Sequence, residues 1–340
     1  MVSEYQKHIS PLFQLIVFCI AVVPLLFFLH NAVYTFNAHD ANPELFAHKT
    51  AMSSENRVIM GLFISDFLRF DITKNKIVFN GTVWAEFNPG IVSLDMVKEF
   101  SFRKGTIIQK GEPIIEKRGK SLFVRWPVRV KLHLDFNYRA FPLDNHTLFI
   151  MLVNDKLDAS EVQFASDPDN FVLSPEAHLS NWQIIDKHVH TGYSCVQLEE
   201  HKSDKEVCVP CIKLALDFRK HDLRHVFSIL LPLLLIFFLT LFSFSFDAQK
   251  YFDTLISISI GGITALLAYR FVIESLSPDV GYFMLSDYLF ILFLMAVFAV
   301  FFFNTTILHL EQRAKKIAIC LLHLLVVGGC CLLFYGALSI

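Results

Sequence analysis

Long apolar runs and one strand-like region divide this chain. Five runs are long and apolar enough to cross a hydrocarbon layer of about 30 Å, which takes roughly 20 residues of α-helix. The runs are residues 11–36, 226–246, 254–273, 288–308 and 317–340. We therefore expect an N-terminal transmembrane helix over residues 1–36 and a four-helix transmembrane domain over residues 223–340. A cleavable signal peptide is the alternative interpretation of the first run, but that run is long for a signal core and no clear Ala-x-Ala site follows.

The region between the first run and the last four has the period of β-strands. From Leu122 to Tyr138, apolar side chains alternate with polar ones, as in a strand with one buried face. Shorter alternations occur at residues 58–70, 77–87, 147–153 and 212–218. Clusters of Gly, Asn, Asp and Pro separate them, which favours an antiparallel β-sandwich over βαβ units. The predicted fold class is membrane α+β, with a linker at residues 37–56 and the sandwich at residues 57–222.

The composition agrees with a membrane protein that carries one polar domain. Of the 340 residues, 54% are hydrophobic, the mean hydropathy is +0.48 and the net charge is −2. So small a net charge gives no general attraction to nucleic acid. The sequence has no Gly-rich phosphate loop, nucleophile elbow or metalloprotease motif, so we expect neither an enzyme nor a cofactor.

Basic residues indicate the orientation in the membrane. Arg313, Lys315 and Lys316 lie in the short loop before the last apolar run, and such basic loops are usually cytoplasmic. Counting back through the helices places the N-terminus in the cytoplasm and the β-domain outside. We expect a multi-pass protein of the cell (inner) membrane.

One apolar run has a distinct face. At helical spacing, small and hydroxylated side chains form a narrow stripe, whereas Leu and Ile cover the rest of that helix. The stripe consists of Asp253, Ser257, Gly261, Thr264, Ala268, Phe271 and Ser275. Small residues allow close approach of helices in lipid, so the stripe suits packing against another helix of the same chain. In a ring of identical chains it equally suits the lining of a water-filled path.

Four motifs in register resemble those of the pentameric ligand-gated ion channels, or Cys-loop receptors. One is the loop sequence Phe141-Pro142-Leu143-Asp144. The others are residues 58–64 with 70–72 and 79–84, residues 218–232 with their basic entry, and residues 271–278 followed by 282–284. The resemblance covers roughly residues 57–340. It implies a homopentamer in the lipid bilayer, with a pore for permeant ions lined by residues 253–275.

The resemblance also implies a coupling interface between the β-domain and the pore. Phe141, Pro142 and Asp144 match the family's coupling loop, and Arg219 and Lys220 match its basic partners. The cysteines that bracket this loop in animal receptors are absent here, as in the bacterial members. The N-terminal helix is an addition to the usual pattern.

For the ligand, the resemblance implies little. Trp84 and Tyr193 fall in the possible ligand region, but the other positions of an aromatic, amine-binding cage have no counterpart. The agonist therefore stays open between a small molecule and the proton, since the chain has 14 histidines.

The two ends of the stripe carry predictions of their own. Asp253 would form a ring of carboxylates at one mouth of a five-fold pore, which favours cations. Phe271 is the bulky candidate for a gate, because the stripe residues before it are small. Arg270 and Glu274, at i and i+4, are expected to pair on a face turned away from the stripe.

Cys195, Cys208 and Cys211 lie in the segment that the resemblance makes the capping hairpin. Outside the cytoplasm we expect a disulfide from Cys195 to Cys208 or to Cys211, and the sequence leaves the partner open. His188, His190 and His201 would permit a site of Cys and His ligands, but the spacing matches no strong zinc signature, so no metal is expected.

Two other functions stay open at this point. One is a receptor-fold sensor or scaffold that does not conduct, in which the stripe serves packing. The other is a thiol or metal sensor built on the Cys and His hairpin.

Overall fold

A computed structural model gives the structure of most of the chain. The described residues are 9–36, 40–47, 56–71, 74–143, 145–158, 162–177, 179, 182–197, 206–219, 224–247, 250–306 and 312–338. They divide into two compact units. The helical unit is drawn from residues 1–38, 138–144 and 222–340, and the β-unit from residues 39–137 and 145–221.

Five of the described helices are long and apolar enough to cross a membrane. The helices are α1 (Pro11–Thr35), α2 (Leu94–Val97), α3 (Arg224–Leu241), α4 (Phe252–Leu276), α5 (Leu285–Thr306) and α6 (Gln312–Leu338). A 3-10 turn at Phe242–Ser245 extends α3. All but the single turn α2 belong to the five, so the predicted set of apolar helices is confirmed, with bounds that shift by a few residues.

Apolar side chains pack the helical unit together. α3 contacts α4 and α5, α5 contacts α4 and α6, and α1 packs against α6. Phe237 of α3 meets Phe293 of α5 with their ring centroids 6.1 Å apart. Phe18 of α1 lies 6.3 Å from the ring of His323 of α6. Apolar outer surfaces on α1 and α6 stay exposed, as expected of helices that cross a hydrocarbon layer.

The β-unit contains two sheets. Its strands are β1 (Arg57–Asp71), β2 (Lys76–Phe87), β3 (Phe100–Phe102), β4 (Gly105–Lys110), β5 (Ile114–Arg118), β6 (Ser121–His133), β7 (Asn145–Asn154), β8 (Gln163–Ala165), β9 (Phe171–Leu173), β10 (Gln183–Gln197) and β11 (Glu206–Arg219). The first sheet has the order β4-β6-β2-β1-β8, with β5 added on β6 and β9 on β1. The second sheet has the order β10-β11-β7-β3.

The first sheet is mixed, which differs from the antiparallel sandwich that the sequence predicts. The short strands β8 and β9 both pair with β1 in parallel. Each has only three residues, too few to show a period of two in the sequence. The long strand predicted from Leu122 also ends earlier, at His133 rather than at Tyr138.

Alternation along the strands supplies the core of the β-unit. Every second side chain of β2 is buried, from Ile77 to Phe87. Aromatic rings from the two sheets meet: Phe79 lies 6.1 Å from Phe102, and Phe100 lies 5.3 Å from Trp126, between ring centroids. Large aromatic side chains dominate the energetics of such contacts because each buries a large apolar area.

α3 and α4 approach closely at Gly262. A Cβ built there would overlap the Oγ1 of Thr240 and lie 3.2 Å from its Cγ2. At the neighbouring Gly261, no described atom outside the local backbone lies within 4 Å of such a Cβ. The first glycine is therefore needed for packing between these helices, and the second is not.

We predict that Gly262→Ala destabilises the helical unit by about 1–3 kcal/mol, since the added methyl group overfills a packed contact. The measurement is the midpoint of thermal helix loss, followed by circular dichroism at 222 nm. Gly261→Ala is the matched control and should leave the midpoint unchanged or raise it, because alanine favours helix. Equal midpoints for the two variants would contradict the assignment of the packed face.

Candidate functional site

The face of α4 that packs inside the helical unit is defined by its buried residues. They are Leu255, Ser259, Gly262, Leu266 and Ile273. Their spacing follows the helical period, so they form one continuous face toward α3 and α5.

A buried polar cluster holds the N-terminal half of α4. The side-chain amide of Asn304, on α5, donates to Ser243 Oγ and to Ser259 Oγ, each at 2.8 Å. Ser259 Oγ in turn donates to the carbonyl of Leu255 at 2.9 Å. All three polar side chains are fully buried. In an apolar layer each such interhelical hydrogen bond contributes about 0.6 kcal/mol or more, so the cluster fixes the rotation of α4.

A charged cluster holds the C-terminal end of α4. Arg270 Nε donates to Glu274 Oε1 at 3.0 Å, the i, i+4 pair that the sequence indicates. Arg270 Nη1 also donates to Asp287 Oδ1 of α5, whose side chain is largely buried. The guanidinium lies 5.5 Å from the ring centroid of Phe290. Sequence reasoning missed Asp287, although an acidic residue at the start of an apolar helix was a visible signal.

The stripe faces away from these contacts. Asp253, Ser257, Gly261, Thr264, Ala268, Phe271 and Ser275 are all exposed on the single chain. Phe271, the largest side chain of the stripe, has 73% of its surface exposed. Ile260, Leu267 and Val272 flank the stripe and are about half exposed. Within the described part of the chain, no other helix covers the stripe, so packing against a helix of the same chain does not explain it.

The Phe-Pro loop is docked in the helical unit, at the N-terminal end of α5. The amide of Leu285 donates to the carbonyl of Arg139 at 2.8 Å, and that of Ser286 to the carbonyl of Phe141 at 3.0 Å. The first amides of a helix have no partner within it, so these loop carbonyls satisfy two of them. The Phe141–Pro142 peptide bond is cis.

Only part of the predicted coupling interface can be located. Phe141 and Pro142 lie in the docked loop, where the ring of Phe141 is 6.4 Å from that of His225. Arg219 is the last residue of β11. Asp144 and Lys220 lie outside the described residues, so their expected contact stays a prediction.

Residues 40–47, called the strap below, lie on one face of the second sheet. Asp40 accepts the amides of Asn137 and Thr147 at 2.8 and 2.7 Å. Its Oδ1 lies 3.2 Å from Nδ1 of His146, and both side chains are 1% exposed. The sequence predicts only a linker in this region. It does not reveal how the strap is anchored, because the partners of Asp40 lie about a hundred residues further along the chain.

The rest of the strap is held by backbone and apolar contacts. Phe46 and Tyr193 exchange two backbone hydrogen bonds of 2.9 Å. A Cβ on Gly192 would lie 2.6 Å from the carbonyl oxygen of Phe46, so a glycine is needed where the strap crosses β10. Leu45 packs against a buried apolar cluster of the sheet that includes Met151 and Cys211.

The two residues of the possible ligand region are far apart in the topology. Trp84 lies on β2 of the first sheet, half-buried, with its ring 5.5 Å from that of Phe123. Tyr193 lies on β10 of the second sheet, buried beneath the strap. Among the contacts of the described residues, none joins Trp84 to Tyr193.

The cysteine pairing is Cys195 with Cys208, which lie opposite each other on β10 and β11. Cys211 is a free, buried thiol, and its burial raises its pKa to about 12. That thiol is therefore neutral and unreactive at physiological pH. Among the described residues no group of three or more His, Cys, Asp or Glu could hold a metal, and His201 lies outside them.

Two cavities flank the strap. One of about 650 Å³ is lined by Asn42, Phe136 and Phe149, among others. The second, of about 460 Å³, lies between the strap and Lys213, His190 and Thr191. Both volumes fall within the range of small-molecule sites in proteins.

Comparison with known proteins does not assign this chain to a group. No family model matches the sequence, and no curated protein matches it. The class that fold and composition define is a membrane protein with a mixed β-sheet domain and five helices apolar enough to span a bilayer.

We predict that Asp40→Ala lowers the stability of the β-unit by about 3 kcal/mol, because two amides and His146 lose a buried partner. All three tryptophans of the chain lie in the β-unit, so denaturant unfolding followed by tryptophan fluorescence reports on it. Glu44→Ala, which removes an exposed strap carboxylate, is the control and should change stability by less than about 0.5 kcal/mol. Similar losses in both variants would show that the strap is not anchored at Asp40.

Proposed function

We propose that the chain is one subunit of a homopentameric ion channel of the ligand-gated type, in which α4 lines the pore. The exposed stripe carries this proposal. Small and hydroxylated side chains run along the length of an otherwise apolar helix, and the described part of the chain leaves them uncovered. A membrane helix gains nothing from turning Asp253, Ser257 and Thr264 toward lipid, whereas a water-filled axis between copies would solvate them.

Several further features support the proposal. Carbonyls of the Phe-Pro loop accept from the first amides of α5, the helix that follows α4, and the sequence resemblance gives this loop the role of coupling. Rings from the two sheets of the β-unit pack against each other, as a sandwich requires. The number of five subunits rests on the resemblance in sequence. The orientation, with the β-unit outside and the N-terminus in the cytoplasm, rests on the basic residues Arg313, Lys315 and Lys316.

The chemistry of the stripe suggests how such a pore would work. A ring of Asp253 carboxylates at one mouth concentrates cations and repels anions. From Ser257 to Ala268 the stripe offers small and hydroxylated side chains, which leave room for water. Phe271 supplies bulk near the other end, where a ring of aromatic side chains closes a path by excluding water.

The test of the proposal is ion flux through the purified protein in liposomes, measured with Thr264→Cys. We expect the wild-type chain to conduct, and a water-soluble, charged thiol reagent to reduce the conductance of Thr264→Cys strongly, since the reagent would block the path. The wild-type chain, treated in the same way, is the control for the native cysteines. Leu266→Cys, at a fully buried position two residues away, should resist the reagent.

An unchanged conductance of Thr264→Cys after modification would contradict pore lining by the stripe. Absence of any flux, under all pH values and candidate ligands, would favour the non-conducting sensor instead.

A second prediction concerns the gate and the selectivity. Phe271→Ala should raise the leak of the resting protein, because the bulkiest stripe residue is removed, and Asp253→Asn should lower the ratio of cation to anion permeability. The leak and the permeability ratio are both measured by recording currents in planar bilayers with asymmetric salt.

Val272→Ala, an exposed neighbour off the stripe, is the control for Phe271→Ala. An unchanged leak in Phe271→Ala would exclude a gate at this residue.

A further inference from the structure

The cavity of about 460 Å³ beside the strap has an unusual composition. Strap residues 42–47 form one wall, and His190, Thr191 and Lys213 of the second sheet form the other. Pro43, Leu45 and Phe46 make part of the strap wall apolar. The cavity therefore offers an apolar surface next to the ammonium of Lys213.

Lys213 is a buried cation that has no anionic partner among the described residues. Only 8% of the surface of Lys213 is exposed. Its ammonium donates to Asn42 Oδ1 at 2.7 Å and to the carbonyl of Pro43 at 3.1 Å. Both acceptors are neutral, and no carboxylate among the described residues pairs with this ammonium. An ammonium carries three protons, so one donor is left after these two hydrogen bonds.

The described lining of the cavity holds one carboxylate, that of Glu44, and it does not pair with the ammonium of Lys213. Cys211, two residues before it on β11, is a neutral thiol. Burial lowers the pKa of Lys213. The pKa of His190 is also lowered, mainly by burial and to a smaller extent by the nearby positive charges of Lys213 and His188. A buried charge is normally paired, because desolvation of an unpaired one is costly. Among the described residues the charge of Lys213 is met only by these two neutral acceptors and by the ring of Phe149, whose centroid lies 5.7 Å away.

We propose that this cavity binds a small monocarboxylate, with the carboxylate paired to Lys213 and a short apolar tail against Pro43, Leu45 and Phe46. The third ammonium proton of Lys213 is the donor for the carboxylate. Glu44, which also borders the cavity, disfavours a second negative charge on the ligand, so a monoanion fits better than a dianion. Binding closes the strap more firmly on the sheet, because the ligand adds contacts to both walls.

This site is separate from the proposed pore, and its test needs no ion flux. The full-length protein in lipid nanodiscs is titrated with butyrate, and in parallel with butanol and butylamine, which keep the tail and change the head group. Binding is measured by saturation-transfer NMR, and closure of the strap by hydrogen exchange at the amides of Phe46 and Tyr193. We expect saturable binding of butyrate alone, with slower exchange at both amides.

Lys213→Met keeps most of the length of the side chain and removes its charge, so it should weaken butyrate binding at least tenfold. Lys187→Met is the matched control. Lys187, like Lys213, donates to two neutral oxygens, here the backbone carbonyls of Pro168 and Phe171 at 2.8 and 2.7 Å, but it does not line the cavity. The affinity of Lys187→Met for butyrate should equal that of the wild-type chain.

Three results would overturn the proposal. They are no saturable binding of butyrate to the wild-type chain, equal binding of butanol, and unchanged affinity in Lys213→Met. Should Lys213→Met release the strap, seen as fast exchange at Phe46 without ligand, His190→Ala replaces it. That variant removes a cavity side chain that does not hold the strap and should weaken butyrate binding severalfold, and unchanged affinity there would count against the site.

Discussion

The rotation of α4 about its own axis is the constraint on which the rest of this structure depends. Contacts at three levels set it: Asn304 with Ser259, Gly262 against Thr240, and Arg270 with Asp287. In apolar surroundings a polar group that loses its partner finds no water to replace it, so turning the helix would leave these groups unpaired. The exposure of the stripe follows from the burial of the opposite face. The unusual feature of α4 is therefore the polarity of its exposed stripe rather than the packing of its buried face.

The β-unit is held by a different device. Its two sheets meet through aromatic side chains, while the strap is tied down by one buried carboxylate and by the backbone of Phe46. A ligand at Lys213 would stabilise the strap on the second sheet, because it adds contacts to both walls of the cavity.

Much of the fold could be predicted from the sequence because the signals are periodic and long. The five apolar helices and the long strands β1, β2 and β6 each repeat one pattern over ten residues or more. β8 and β9 were missed because three residues show no period, and the strap was missed because its partners are distant in sequence. The disulfide shows the same limit: spacing allowed two partners for Cys195, and only the pairing of β10 with β11 places Cys208 opposite it.

The stripe itself was visible in the sequence, yet its use was not. Helical spacing places Ser257, Gly261 and Thr264 on one face, but it does not tell whether another helix covers that face. The contacts of Asn304 and Gly262, which lie on the opposite side, supply that information. The position of Arg270 likewise needed Asp287, a residue on another helix that no local pattern connects to α4.

The most direct measurement is a density map of the assembled particle in lipid, at a resolution that separates the helices. If α4 lines a shared pore, the map will show a ring of five chains with α4 nearest the axis and Thr264 and Ala268 facing an open path. A map in which the stripe of α4 faces lipid, or is covered by a helix of a neighbouring chain, would contradict this function.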